Sequence, residues 1–253
     1  DKNPDKSTHS IEETINKSDF VFLSVPTPAN EDKSINIDIL DSALNDINDV
    51  KDKSPIILVR STVIPGSTKK LQNKYPNLNL LFNPEFLTER SANFDFINQS
   101  RFVIGTDNTS VSYHNSKKFI KLLNDRFGEC IAIIETTYET AEMIKYMSNC
   151  FFATKISFLN EMYQLSKKGN IDWNKVVDGF VADGRIGHSH LNVPGHDGKF
   201  GFGGSCFPKD IQAMIKHGKA LGINMDILSS VWNKNLEVRP EKDWEKIKGR
   251  AVV

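Results

Sequence analysis

Short apolar runs, broken by proline, glycine and polar residues, fill the first half of the chain. Their lengths predict alternating strands and helices. Phe20-Val21-Phe22-Leu23-Ser24-Val25, aromatic and β-branched, reads as a buried strand stopped by Pro26-Thr27-Pro28. From Ile37 to Val50 the residues Ile39, Leu40, Ala43, Leu44 and Ile47 recur at helical spacing. Pro55 to Val59 predicts a second strand, running into Arg60-Ser61-Thr62, then a turn at Pro65-Gly66 and a short helix to about Lys74. Leu78 to Phe82, Phe102 to Gly105 and Ile131 to Ile134 supply three more strands. Such alternation implies a mainly parallel sheet, whose ligand crevice lies beyond the carboxyl ends of its strands. The segments to inspect are Pro26-Thr27-Pro28, Arg60-Ser61-Thr62 and Asn83-Pro84-Glu85.

The second half has a different rhythm. No proline or glycine interrupts the chain from about Thr137 to Lys168, and the pattern predicts one long helix closed by Gly169. Asp172 to Asp183, Asp210 to Ala220 and Asp226 to Glu237 read as shorter helices. Between Arg185 and Gly204 six glycines mark an extended loop. The expected organisation is an α/β domain over 1–136, a partial doubly wound parallel sheet, and a mainly helical domain over 137–253 built on the long helix.

Composition narrows the function. Lys plus Arg and Asp plus Glu both total 32, so the 253-residue chain has no formal net charge, and a polyanion-coating role is excluded. Hydrophobic residues at 39% exclude wholesale disorder. The three cysteines, Cys130, Cys150 and Cys206, form no framework of pairs, which points to a reducing, cytoplasmic setting. The first residues are polar, with no signal-peptide pattern and no initiator Met, so further chain upstream is expected. The early apolar run is too short to span a bilayer.

The richest stretch for chemistry is Gly201-Phe202-Gly203-Gly204-Ser205-Cys206-Phe207-Pro208-Lys209-Asp210. Glycines let backbone approach a ligand closely. They deliver Cys206 to the start of a helix, where terminal amides and Lys209 would favour the nucleophilic form of the sulfur. Asp210 follows within reach of a water near that sulfur. Cys130 and Cys150 lack such neighbours and read as packing residues. Lys145 and Asn149, four apart, share one helical face and together suit an oxyanion or a sugar hydroxyl; the alternative is a solvated face. Glu142 fits that alternative. Glu85 and Glu89 follow a strand end, where a carboxylate can act as base or orient water, or can be plain surface acid. His188, His190 and His196 cluster, but no Cys or acid at ligand spacing completes a metal site, so none is expected.

In this order, Val25-Pro26-Thr27-Pro28, Arg60-Ser61-Thr62-Val63 before Pro65-Gly66, Asn83-Pro84-Glu85-Phe86-Leu87-Thr88-Glu89, Lys145 with Asn149, Arg185-Ile186-Gly187 and Gly201 to Asp210 resemble the UDP-glucose 6-dehydrogenase family of nucleotide-sugar dehydrogenases. The resemblance implies a four-electron oxidation of a sugar primary alcohol to a carboxylate with two NAD, serving polysaccharide biosynthesis. It makes Cys206 the nucleophile of a thiohemiacetal and then a thioester. It gives Lys145 and Asn149 the oxyanion, Asp210 the activation of water, and Thr62 and Glu85 its ordering. Cofactor contacts are expected from Asp1, Val25, Pro26, Thr27, Thr62, Glu89 and Lys209. Substrate contacts are expected from Glu85, Phe86, Leu87, Thr88, Glu89, Lys145, Asn149, Gly195, His196, Asp197, Gly198, Lys199 and Gly203, and from Arg185 reaching a neighbouring subunit. Lys145 and Asn149 are expected to face the Cys206 sulfur. The family's G-x-G-x-x-G turn does not occur in this sequence, and neither does its C-terminal nucleotide-closing domain, so a short form is expected. Related enzymes of GDP-mannose or UDP-N-acetylhexosamines share the cysteine loop, and a non-catalytic remnant of the fold is the rival from another class. A homodimer is expected on the long helix, through Phe151, Phe152, Ile156, Phe158, Leu159 and Met162.

Overall fold

The computed structural model describes residues 4–253. The chain divides into two compact units: Asp1–Thr27 with Asn36–Lys145, and Pro28–Ile35 with Tyr146–Val253.

In the first unit the elements follow as α1 (Ile11–Lys17), β1 (Phe20–Leu23), α2 (Asp38–Val50), β2 (Ile56–Val59), α3 (Ser67–Lys74), β3 (Asn79–Phe82), α4 (Ala92–Ile97), β4 (Arg101–Thr106), α5 (Ser110–Phe127) and β5 (Ala132–Thr137). The strands form one sheet in the order β1-β2-β3-β4-β5. Neighbours are parallel, Phe20 opposite Ile56 and Ile56 opposite Asn79, except that β4 runs antiparallel to β3 and meets it only where Phe82 faces Gly105. The pleat explains the continuous apolar runs. Ile57, Val59, Leu80 and Phe82 pack on one face with Leu40, Leu44 and Ile47 of α2; Ile56, Leu58 and Leu81 pack on the other with Phe119 and Leu123 of α5. Each such side chain, fully buried, contributes about 1.5–3 kcal/mol.

The helix α6 (Tyr138–Lys168) starts in this unit and continues through the second, where α7 (Trp173–Val181), α8 (Phe207–Ala220) and α9 (Asp226–Val238) follow. Asp172 caps α7 by accepting from the amides of Asn174 and Lys175. Leu159, Trp173 and Val193 form the centre of this unit's core, joined by Met162, Tyr163 and Phe180. The excursion 28–35 returns at Ala29, whose amide donates to Ala251 and whose carbonyl accepts from Val253.

Three expectations are corrected. Glu142 is fully buried: both its oxygens accept backbone amides, Gly66 at 2.6 Å and Thr68 at 2.8 Å, so it caps the start of α3 and does not lie on a solvated face. Cys130 is exposed and packs into no core, whereas Cys150 is buried. Leu159 points into its own unit's core and offers no outer surface. Among the described residues no helix is long and apolar enough to cross a membrane.

Candidate active site

The first unit gathers its candidates at the carboxyl ends of β1, β2 and β3. The backbone amide of Arg60 donates to Leu23, the Ser61 hydroxyl to the Val25 carbonyl at 2.7 Å, and the Thr27 hydroxyl to the Thr62 carbonyl at 2.8 Å. Thus Val25, Pro26, Thr27 and Thr62 lie on two laced loops, with Thr27 buried and Pro26 exposed. Beyond β3, Arg60 holds Asn83 at 2.5 Å. Glu85 then folds its carboxylate back onto the Leu87 amide at 2.7 Å.

Lys145, 4% exposed, is no solvated lysine. Its Nζ donates to the Glu85 carbonyl at 2.5 Å, lies 3.4 Å from the Glu85 carboxylate, and sits 5.3 Å from the centre of the Phe86 ring. Leu87 is half-buried, and Thr88 and Glu89 are exposed at the following turn. Asp1 lies outside the described residues.

The second unit builds a separate cluster at the start of α8. Cys206 is the residue before the first helical turn and is exposed; its sulfur lies 3.7 Å from the Ser205 hydroxyl oxygen. One turn on, the Asp210 amide donates to the Cys206 carbonyl at 3.0 Å. The Asp210 carboxylate, 1% exposed, accepts from Lys209 at 2.5 Å on one oxygen and from Asn149 at 2.6 Å on the other. Lys209 is therefore buried against an acid. Burial pushes the Cys150 thiol up to about 12, with the Asp210 charge adding to the effect, so this cysteine stays protonated.

Before Cys206 the glycine-rich loop is tied down. Gly195 and Lys199 close a tight turn through the Gly195 amide, with His196, Asp197 and Gly198 on it and exposed. The Asp197 carboxylate reaches Arg239 at 2.6 Å, and Lys199 pairs with Glu241 at 3.1 Å. Gly203 faces the Arg239 guanidinium. Arg185 is 88% exposed and pairs with Asp183. Sequence patterning marked neither Asn160 and Asn235, which lie within α6 and α9, nor Arg239, which follows α9; all three are buried.

Residues 3–123 match the NAD binding domain of the UDP-glucose/GDP-mannose dehydrogenase family, and residues 139–237 match its central domain. The chain belongs to the UDP-glucose/GDP-mannose dehydrogenase family. It is 37% identical over 246 residues to the UDP-glucose 6-dehydrogenase of Rickettsia bellii, covering 96% of this chain and 54% of that protein. It superimposes on the UDP-glucose dehydrogenase of Pyrobaculum islandicum with a TM-score of 0.76 at 31% identity, over 95% of this chain and 55% of that one. The ternary-complex structure of GDP-mannose dehydrogenase from Pseudomonas aeruginosa gives 0.62 at 27%, over 96% and 56%. The chain spans about half the length of the curated relatives it matches.

NAD is the cofactor of this family's first domain. The donor set at the strand ends fits it: hydroxyls and backbone groups at Ser24 to Thr27 and at Thr62 are donors and acceptors of the kind a nicotinamide carboxamide uses.

Proposed function

We propose that the protein takes part in the NAD-dependent oxidation of the primary alcohol of UDP-glucose to the carboxylate of UDP-glucuronate, with Cys206 as covalent nucleophile. One observation carries the reading. An exposed cysteine stands at the first turn of α8, one turn ahead of an acid fixed by both Lys209 and Asn149.

NAD, when bound, is the hydride acceptor for both oxidations, and Thr27, Thr62 and their loops would hold it. The Cys206 sulfur adds to the aldehyde carbon, forming a C–S bond and placing negative charge on the former carbonyl oxygen. Lys145 and Asn149 are assigned to that oxygen, since charge that develops in the transition state is where fixed donors act most. After the second hydride leaves, the carbon is a thioester. Water adds, its proton passing to Asp210 or to solvent; the C–S bond breaks, and the sulfur leaves as thiolate. Thr62 and Glu85 order the water. Glu85 to Glu89 and the turn 195–199 are assigned to the nucleotide sugar.

A GDP-mannose or UDP-N-acetylhexosamine substrate is the second reading, favoured by the likeness to GDP-mannose dehydrogenase. The second unit also leaves Met147, Phe151, Phe158 and Leu165 exposed on α6 at spacings of four and seven, which supports a second copy pairing there and Arg185 serving the partner's site. The free cysteines fit a reducing, cytoplasmic setting.

NADH formation by a chain carrying its complete N-terminus, followed with UDP-glucose, GDP-mannose and UDP-N-acetylhexosamines, tests the reading. Turnover is expected with UDP-glucose and is lost in Cys206→Ser; near-normal turnover in that variant overturns the covalent route. Sedimentation as a monomer at full activity would overturn the dimer.

A further inference from the structure

The loop that delivers Cys206 is held by groups to which no role has yet been given. The Asn235 side chain treats Phe202 as a strand neighbour would: its Oδ1 accepts the Phe202 amide at 2.7 Å and its Nδ2 donates to the Phe202 carbonyl at 3.0 Å. Asn235 is wholly buried. Buried amide pairs of this kind leave two unsatisfied backbone groups when the side chain is removed. The preceding amide, Gly201, donates to Asn160 Oδ1 at 3.1 Å.

One turn further, Arg239 reads the same loop at two points and is itself held by an acid four residues on. Its guanidinium donates to the Asp197 carboxylate at 2.6 Å, to the Phe200 carbonyl at 3.2 Å, and to Asp243 at 2.6 Å. The fit is close enough to demand glycine. A Cβ on Gly201, where φ is +66°, would lie 2.4 Å from Asn235 Oδ1, and one on Gly203 would lie 2.5 Å from an Arg239 nitrogen. Two positions at the end of α9 thus fix the backbone from 200 to 203, and three residues later the chain enters α8 at Cys206.

We propose that Asn235 and Arg239 are positioning residues for the nucleophile: by pinning residues 200–203 they hold Cys206 at the amino end of α8. This rests on the covalent role proposed above, but its test needs no substrate. A sulfur fixed in the open at the start of α8 stays accessible to a small electrophile, whereas on a loosened loop it spends part of its time packed against neighbouring apolar groups.

The three cysteines supply the readout within one chain. Exposed Cys130, in the other unit, is the reference; buried Cys150 reports opening of the second unit; Cys206 reports position. Under limited iodoacetamide, followed by peptide mass spectrometry, Asn235→Ala in the full chain is expected to lower the Cys206-to-Cys130 labelling ratio at least about fivefold, since both buried hydrogen bonds to Phe202 are lost, with Cys150 still unlabelled. Arg239→Lys, which keeps the charge and loses the fork, is expected to act in the same direction and serves if Asn235→Ala does not fold. A ratio that stays within twofold or rises, or labelling that spreads to Cys150, overturns the proposal, the last because the clamp would then hold the whole unit and not the loop. Absence of NADH formation with every nucleotide sugar would sink the dehydrogenase reading and leave this test intact.

Discussion

The Asn149 amide on α6 donates to the Asp210 carboxylate on α8 at 2.6 Å, and both groups are buried. Since Lys209 occupies the other oxygen at 2.5 Å, Asp210 neutralises a buried ammonium and orders an amide at once. Removing one member of such a pair strands a charge. Asp210→Ala is therefore expected to cost about 3–5 kcal/mol of stability. Urea denaturation of the two proteins measures it; a loss below about 1 kcal/mol, the worth of an exposed ion pair, would contradict the burial.

Native thiol chemistry should separate the three cysteines. Cys130 and Cys206 are exposed, while burial holds the Cys150 thiol near 12. Alkylation without denaturant is expected to modify the first two and spare Cys150, which reacts only after unfolding. Peptide mass spectrometry decides it, and early labelling of Cys150 would show that its surroundings open readily.

Glu142 makes stability pH-dependent. Burial raises its carboxyl from 4.5 to about 7, against the opposing pull of the Gly66 and Thr68 amides. Between those values the native state keeps a proton that the unfolded chain has lost. Stability is then greatest below the unfolded value and falls as pH rises through 7, by at most about 3 kcal/mol. The melting temperature of the chain should decline from pH 5 to 8, and Glu142→Gln should flatten that slope. An unchanged slope in the variant would mean that the two amides offset burial in full.

Lys145→Ala should separate binding from chemistry. If the ammonium meets an oxygen that becomes charged only during reaction, kcat falls about 10²–10³-fold with little change in KM. Steady-state NADH kinetics across UDP-glucose concentrations give both constants. A variant whose only defect is a raised KM would reduce Lys145 to a binding contact. Because Lys145 also holds the Glu85 carbonyl, the kinetics are read alongside a thermal melt.

Much of the fold was legible because buried parallel strands are written as unbroken apolar runs. Phe20 to Leu23 and Ile56 to Val59 begin and end within two residues of their predicted bounds. The long helix was legible from its missing glycines and prolines. By contrast α5 was not read. Its stripe is thin, with Phe119 and Leu123 buried but Val111, Tyr113 and Leu122 exposed, although Thr109 and Gly128 mark its ends. The antiparallel step between β3 and β4 leaves no local trace, since it rests on a single facing pair. Among the candidate residues, Cys206, Asp210, Lys145 and Asn149 stood out in the sequence by residue type and spacing. Glu142 did not, because its partners are backbone amides 74 and 76 positions away. The one hint was a helix starting at Ser67 whose cap, Gly66, has no side chain to offer.

The excursion of Pro28 to Ile35 has a consequence for how the chain is made. These residues leave the ribosome early, yet their partners come last: Asp32 waits for Lys216, 184 positions on, and Ala29 for Ala251 and Val253. Closing so wide a loop is entropically costly and slow. The sheet of the first unit has all its strands long before that. Synthesis thus passes through a stage in which residues 28–35 exist and their partners at Lys216, Ala251 and Val253 do not. A fragment beginning at Tyr146 would lack that peptide altogether, so the helical unit can be excised only with the piece that belongs to it restored in trans.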